Sequence, residues 1–342
     1  MRLFEMPRVR LTHLPTPLEE MKNLSDFLGG PRLFVKRDDL TGLAFGGNKA
    51  RKLEFVIADA LQKKSKVLIT SGGMQTNWGR LAVAAAVKFG IKPVLVLTGE
   101  EPEHYMGNLC LEYLMGAELH FVGVDKTLEG RSRMKALREA GETKVQELKE
   151  LYLSKGLIPY VVPRGGQTTQ GTAGYLVATL EIHQQLIDMR IKADYIVMAT
   201  GSTSTTGSLI LGNRVFNTGI RVVGISVSRP KDECKARILE QIEKDRVFYA
   251  FEESVKDKDI TVFDDYIGPG YAIPTGEGVK AIKLLASKEA IVLDQIYTGK
   301  AMAGLIDLIR KGFFRRDETV IFLHTGGGPG LFTLDDRDFR SS

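Results

Sequence analysis

Apolar residues recur along this chain in two rhythms. Short β-rich runs stand at 33–35, 67–70, 93–98, 119–122, 159–162, 195–199, 221–226 and 319–323. Between them, apolar positions return every three or four residues, the spacing that lines one face of a helix. After Asn48, for instance, Leu53, Val56, Ile57, Ala60 and Leu61 fall on one such face. Helices are predicted from there, after 77, and near 103–116, 127–155, 171–188, 231–245, 276–287 and 299–311. Thr12, Pro15, Thr16 and Pro17 keep the opening arm extended until a short helix before residue 30. Strand, Gly-rich turn, helix, repeated this often, predicts an α/β protein with mostly parallel, open, twisted sheets. In such sheets ligands bind beyond the carboxyl ends of the strands. Glycine-rich stretches follow residues 70, 163, 199 and 323, all at that end.

Composition narrows the picture without changing it. A chain of 342 residues exceeds one small core, so two domains are expected. It is 43% hydrophobic and 26% charged, as in an ordinary globular protein. The net charge of +5 is modest, and no basic stripe carries interleaved aromatics, so a nucleic-acid partner is not expected. Cys110 and Cys234 form no CxxC and no zinc spacing; buried free thiols in a reducing compartment are the expectation. Charged residues interrupt every apolar run near the start, so neither a signal peptide nor a membrane partner is expected, and the protein is read as cytoplasmic.

Chemistry gathers in the loops. In Gly46-Gly47-Asn48-Lys49 the glycines permit a tight turn, and Asn48 is placed to cap the helix that follows. Lys49 then stands at a helix mouth. It is either a solvated member of a basic run with Arg51 and Lys52, or a desolvated amine with a lowered pKa, fit to act as a nucleophile. The stretch from Thr200 to Thr206 carries six hydroxyl side chains ahead of a helix. Such a loop offers N–H groups, a dipole end and hydroxyls to an anion, phosphate above all; an ordinary polar helix start would read the same. It is neither a Walker A loop nor GxGxxG. The five histidines show no metal spacing, and His324 is either a ligand contact or structural. Tyr271 and Tyr297 sit in turn-rich loops, where a phenol can act as acid or base or simply pack.

Five segments together resemble one family: LPTPL at 14–18, VKRDDLTGLAFGGNKARKLEF at 35–55, GPGYAIPT at 268–275, YTGKAMAGLI at 297–306 and FLHTGG at 322–327. The chain resembles the tryptophan-synthase-β-like (fold type II) pyridoxal-phosphate enzymes, in the group of D-cysteine desulfhydrase and 1-aminocyclopropane-1-carboxylate (ACC) deaminase. The resemblance implies pyridoxal 5′-phosphate as cofactor, with Lys49 as its Schiff-base lysine. It places the phosphate on Gly201, Ser202, Thr203, Ser204 and Thr205, the ring oxygen near Asn77 and the pyridine nitrogen at Thr325. A hydroxyl there, unlike a carboxylate, does not favour ring protonation and suits β-elimination. Tyr271 and Tyr297 are implied as catalytic, and Thr76, Asn77, Trp78 and Thr298 as lining the substrate. Residues 52–163 would form a small domain inserted into a large one made of 1–51 and 164–342, in a homodimer. The implied reaction is α,β-elimination on a small β-substituted amino acid, most like D-cysteine, to pyruvate, ammonia and sulfide; the alternatives are an L-cysteate sulfo-lyase, an ACC deaminase-like enzyme, or a protein that binds the cofactor without lyase turnover.

The chain also departs from that pattern. The substrate loop reads Thr76-Asn77-Trp78-Gly79-Arg80, where the family has Ser-Asn-His or Ser-Asn-Gln before x-Arg. Ser204 replaces a glycine of the phosphate loop. Thr298 stands where ACC deaminases carry glutamate, which argues against cyclopropane ring opening. Arg164 stands where many relatives are neutral; it is either a contact for an anionic side group such as sulfonate, pointing to an L-cysteate sulfo-lyase, or a surface arginine.

Overall fold

The alternation of strand and helix resolves into two sheets in the computed structural model, which describes residues 2–125 and 127–335. The strands are β1 (Leu18–Glu20), β2 (Arg32–Arg37), β3 (Val67–Gly73), β4 (Lys92–Thr98), β5 (Glu118–Val122), β6 (Pro159–Val162), β7 (Tyr195–Thr200), β8 (Arg221–Ser226), β9 (Thr261–Phe263) and β10 (Thr319–His324). The helices are α1 (Lys22–Leu28), α2 (Lys49–Gln62), α3 (Asn77–Lys88), α4 (Gly107–Leu114), α5 (Gly130–Ser154), α6 (Thr169–Met189), α7 (Ser204–Val215), α8 (Lys231–Tyr249), α9 (Gly276–Glu289) and α10 (Thr298–Arg310).

One sheet has six strands in the order β1-β2-β10-β7-β8-β9, and the other four, β5-β4-β3-β6. Every pairing is parallel except that of the edge strand β1 with β2. The central strands β7 and β10 are buried at every residue, because helices cover both faces of the larger sheet. Phe34, Ile196, Met198 and Ile321 belong to one core layer; Leu33, Val197, Val320 and Phe322 belong to the other. The smaller sheet is covered by α5 on one side, through Val145, Leu148 and Tyr152, and by α3 and α4 on the other. Helix α2 packs on both α3 and α6, so it joins the two sheets.

The strands expected from the sequence are present, several one to three residues longer than expected. Among the described residues two strands went unread, β1 and β9, each only three residues long with little apolar pattern. The helix expected near 103–116 is confined to α4, whose first residue, Gly107, takes a left-handed φ of +55°. Asn48 precedes α2, but its side chain makes no cap; its amide instead donates to Thr205 Oγ1 at 3.3 Å. Cys234 is buried as expected, whereas Cys110 is half-exposed, and both are free.

Candidate active site

The segment between β2 and α2 shows what each residue around Lys49 does. Gly46 has φ +65° and a Cβ there would overlap the Asp39 carbonyl, so no other residue fits. Gly47, at φ +128°, lets the chain pass the end of β10, where the Asn48 N–H donates to the Thr325 carbonyl at 3.0 Å. Lys49 then opens α2. Three residues on, and so on the same helix face, Lys52 is fully buried with its Nζ donating to Ser204 Oγ at 2.6 Å. Arg51 points away from both. Its guanidinium makes paired bonds to Asp38 and Glu181, all at 2.8 Å. Glu54 accepts from the Leu11 and Thr12 amides at 2.9 Å and pins the N-terminal arm onto the helix.

Lys52 and Asn48 bring the start of α2 against the start of α7. The loop there holds Gly201 and Ser202, then Thr203 at φ +65°, then Ser204 and Thr205 as the first residues of α7. Arg229 donates to the Gly201 carbonyl at 2.7 Å, and Gln167 donates to that of Ser202, which fixes the loop from outside. The donor set is a buried ammonium, two hydroxyls and a helix N-terminus, which suits a phosphate group. The contacts then close a ring. A Cβ on Gly201 would lie 3.1 Å from the Tyr297 ring, one on Gly327 would lie 2.7 Å from Asp294, and one on Gly326 would lie 2.8 Å from Gly47. Lys49, Thr325, the Tyr297 loop and the hydroxyl loop therefore surround one space, at the carboxyl ends of β7 and β10. Lysine, phosphate donors and a polar ring wall are what a phosphorylated aldehyde cofactor requires.

The electrostatics set the amines apart from ordinary lysines. Burial pulls the Lys49 ammonium down to about 8, although its contact with Lys52 opposes the shift. Burial, then repulsion from Lys49, pulls Lys52 well below the usual range, with Asp245 opposing. The Tyr271 and Tyr297 hydroxyls are 2.6 Å apart. Burial and the neighbouring Tyr271 hold the Tyr297 phenol well above its ordinary pKa, so it stays protonated. Tyr271 reaches solvent, being 38% exposed. The tyrosine loops are held from below. Asp294 accepts from the amides of Ile296, Tyr297 and Thr298 at 2.8–2.9 Å, and Lys300 donates to the carbonyls of Ile267 and Gly270 at 2.7 and 3.0 Å.

The substrate loop needs correction in two places. Trp78 does not line a pocket: it is 2% exposed, its indole N–H donates to Thr70 Oγ1 at 2.8 Å, and its ring packs on Gly166. The indole fills the space under the 164–166 turn. Thr298 is likewise fully buried, its hydroxyl donating to Asp294 Oδ1 at 2.6 Å, so it shapes the Tyr297 loop from within. Thr76 caps α3 by accepting from the Gly79 N–H at 3.1 Å, and Asn77 accepts from Asn108 at 2.9 Å; both are half-buried. His324 is structural. Its Nδ1 accepts from the Gly326 N–H, its Nε2 faces the Val292 carbonyl, and burial lowers its pKa. Sequence reasoning missed Lys52, Lys300 and Asp294. Only Lys52 carried a legible signal, its i+3 spacing from Lys49.

Comparison with known proteins agrees with this geometry. A family model described as pyridoxal-phosphate dependent enzyme matches residues 9–326. The chain is 38% identical over 335 residues to D-cysteine desulfhydrase of Salmonella paratyphi C (strain RKS4594), covering 96% of this chain and 97% of that protein. It is 38% identical over 342 residues to D-cysteine desulfhydrase of Salmonella newport (strain SL254), with the same coverage. Among solved structures it is similar to an ACC deaminase homologue, at 37% identity and a TM-score of 0.85 over 98% of this chain and 96% of that one. Diaminopropionate ammonia lyase of Escherichia coli, at 17% identity and a TM-score of 0.62 over 96% of this chain and 85% of that one, shares the fold. The chain belongs to the pyridoxal-phosphate dependent enzymes, with the tryptophan-synthase-β-like fold and the cofactor of that family.

Proposed function

We propose that the protein carries out α,β-elimination on a small β-substituted amino acid, most like D-cysteine, giving pyruvate, ammonia and sulfide. The observation that carries this reading is the position of the Lys49 amine. It stands at the start of α2 in contact with Lys52, which reaches the Ser204 hydroxyl of the proposed phosphate cradle (Lys52, Ser204, Thr205, Gly201–Thr203), and the hydrogen-bonded Tyr271 and Tyr297 would complete the site. Near-full-length similarity to D-cysteine desulfhydrases supports the substrate.

When bound, pyridoxal phosphate supplies the electron sink for negative charge at the substrate Cα. The protein supplies the rest. Lys49, neutral in an appreciable fraction near pH 7–8 because burial lowers it to about 8, accepts the Cα proton. The Cβ–S bond breaks with its electron pair leaving on sulfur. Tyr297 holds a proton for that departing sulfur, and Tyr271 links Tyr297 to solvent for resupply. The remaining three-carbon unit takes up water to give pyruvate and ammonia. Asn77 at the start of α3 and Thr325 just after β10 would hold the cofactor ring, and Thr76, the N-cap of α3, would face the substrate. The test is release of pyruvate, ammonia and sulfide from D-cysteine. No release of any of the three at millimolar substrate contradicts the reading.

A second reading follows from Arg164. It is half-buried, it donates to Thr98 Oγ1 at 2.7 Å, and its charge acts on Tyr297. A guanidinium beside the tyrosine pair suits an anionic side group, as in L-cysteate. Turnover of L-cysteate with none of D-cysteine favours this second reading over the first. Thr298 rather than glutamate after Tyr297 disfavours an ACC deaminase activity.

The proposal extends to organisation. A small domain at 52–163 within a large one at 1–51 and 164–342 is supported by the strands, since β3–β6 fall inside the first range and the six-stranded sheet draws on the second. Helix α2 runs across the limit at 51/52. A homodimer in the cytoplasm, with Cys110 and Cys234 kept as thiols, completes the reading; sedimentation of the full chain tests its assembly.

A further inference from the structure

Four successive residues just before Lys49 lie at positive φ: Ala44 at 40°, Phe45 at 68°, Gly46 at 65° and Gly47 at 128°. Two of them are not glycine, so this backbone is strained and persists only because something holds it. The Thr41 hydroxyl holds its far end, donating to the Gly47 carbonyl at 3.0 Å and accepting from the Gly47 N–H at 2.8 Å, and Arg80 holds the carbonyls of Ala44 and Gly46. The Arg80 side chain comes from α3, beside the smaller sheet, and is fully buried. Nη1 donates to the Ala44 carbonyl, and Nη2 donates to the Gly46 carbonyl at 3.0 Å. One planar fork thus bridges two carbonyls of the strained turn. Nη2 also lies beneath Gly47, 3.9 Å from where a Cβ would stand, two residues from the amine.

The third side of the guanidinium is also used. Nε donates to Asn108 Oδ1 at 2.6 Å. Asn108, buried on α4, donates through Nδ2 to Asn77 Oδ1 at 2.9 Å and to the Gln75 carbonyl at 3.1 Å, and its own N–H meets Gln75 Oε1 at 2.8 Å. A continuous hydrogen-bonded path therefore runs from the 44–47 turn, through Arg80 and Asn108, to Gln75 and Asn77. Behind it sits Glu112 of α4, fully buried, with neither carboxyl oxygen hydrogen-bonded. It makes no salt bridge to Arg80, so the carbonyl oxygens and Asn108 supply the acceptors that hold the guanidinium. No other side chain could replace it there: an ammonium has no fork, and an amide has only two donors on one nitrogen.

We propose that Arg80 is a positioning residue for Lys49, and that Asn108 ties it to Asn77, so the loop meeting the substrate and the loop carrying the amine move as one body. This rests on the reading of Lys49 as the reacting amine. Placement errors of about 1 Å cost as much as ~100-fold in rate, so the turn's geometry is worth holding.

The test uses the full-length protein as wild type, Arg80→Gln, Arg80→Lys and Asn108→Ala. In the cofactor-free chains, amide hydrogen exchange is followed in peptides covering 41–49 and, as an internal control, in peptides from β7. In the holoenzymes, kcat and KM are measured separately, and borohydride reduction followed by peptide mapping locates the labelled lysine. Arg80→Gln is expected to speed exchange at 44–49 about tenfold or more with β7 unchanged, and to lower kcat about 30-fold or more while KM moves less than about threefold. Arg80→Lys is expected to rescue neither. Asn108→Ala, which leaves Arg80 on the turn, is expected to lower kcat by roughly fivefold, with exchange at 44–49 near wild type. Wild-type exchange at 44–49 in Arg80→Gln, equal acceleration in β7, or full rescue by lysine would overturn the proposal. If Arg80→Gln does not fold, a wild-type kcat in Asn108→Ala would overturn the coupling to Asn77. The labelled position reports separately on the underlying reading: a label away from Lys49 sinks that reading, while the exchange data still decide whether Arg80 holds the turn.

Discussion

Helix α2 carries Lys49, Arg51 and Lys52 almost side by side, yet they meet opposite environments. Arg51 faces Asp38 and Glu181, each bridged by two of its nitrogens, with Thr16 and the Tyr175 hydroxyl closing the network. Lys36 enters the same cluster from β2, at 2.6 Å from Glu181 and Gln185. Every charge there has its partner. On the other face, Lys49 and Lys52 have no carboxylate in hydrogen-bonding contact among the described residues, and Lys52 rests on a serine hydroxyl. The difference appears in the protonation. Arg51 is held charged, well above its ordinary range, by Asp38 and Glu181 against the cost of burial, whereas burial draws both lysines down. Uncompensated buried cations are costly and are retained where an anion or a reaction uses them. One face of the helix fixes the fold; the other is reserved for chemistry.

Substitutions should separate the two faces. The largest effect is expected from Lys49→Ala, with lyase turnover falling at least ~1,000-fold while circular dichroism and the thermal midpoint stay near wild type. Arg51→Ala should do the converse. It strands Asp38 in the core, and denaturant unfolding should report a loss of about 3–5 kcal/mol. Lys52→Ala should leave stability equal or raised, yet weaken cofactor binding by about 1.5–3 kcal/mol, roughly 10- to 150-fold in Kd, because a charge-assisted phosphate contact is lost. If Lys52→Ala destabilised the apo-protein as Arg51→Ala does, the two faces would not differ as described.

The smallest effect concerns acid. Burial alone would raise the Glu181 carboxyl, but Arg51 and Lys36 overcome it and bring the pKa to about 2 from an ordinary 4.5. A depressed carboxyl contributes stability that is present above the unfolded value and lost as pH falls through the folded one. Stability should therefore decline between pH 4.5 and 2, and urea midpoints over that window should flatten in Glu181→Gln.

Much of this was legible before any coordinates. Parallel α/β architecture followed from the alternation of runs and glycine-rich turns. Gly46, Gly47 and Lys49 were placed at a helix mouth by spacing, and Ser204 and Thr205 by hydroxyls ahead of an apolar helix. What was not legible has a common cause: partner choice across long sequence separations. Nothing local distinguishes Arg51, which meets Glu181, from Lys52, which meets Ser204. Trp78 looked like a substrate contact because it sits beside Asn77, but residue 78 lies on the next face of α3 and turns inward to Thr70. Thr298 similarly follows Tyr297, and its backbone and hydroxyl both turn to Asp294. Adjacency in a loop said nothing about which way each side chain points.

The claim that Lys49 is the reacting amine, and Lys52 its phosphate-binding neighbour, is tested most directly by borohydride reduction of the holoenzyme across pH, with peptide mapping. The account predicts label on Lys49 alone, and predicts that uptake of pyridoxal phosphate by the apo-protein rises with pH with a midpoint near 8, since burial lowers that amine to about 8. Label on Lys52, or a midpoint at the ordinary lysine value of 10.5, would contradict it.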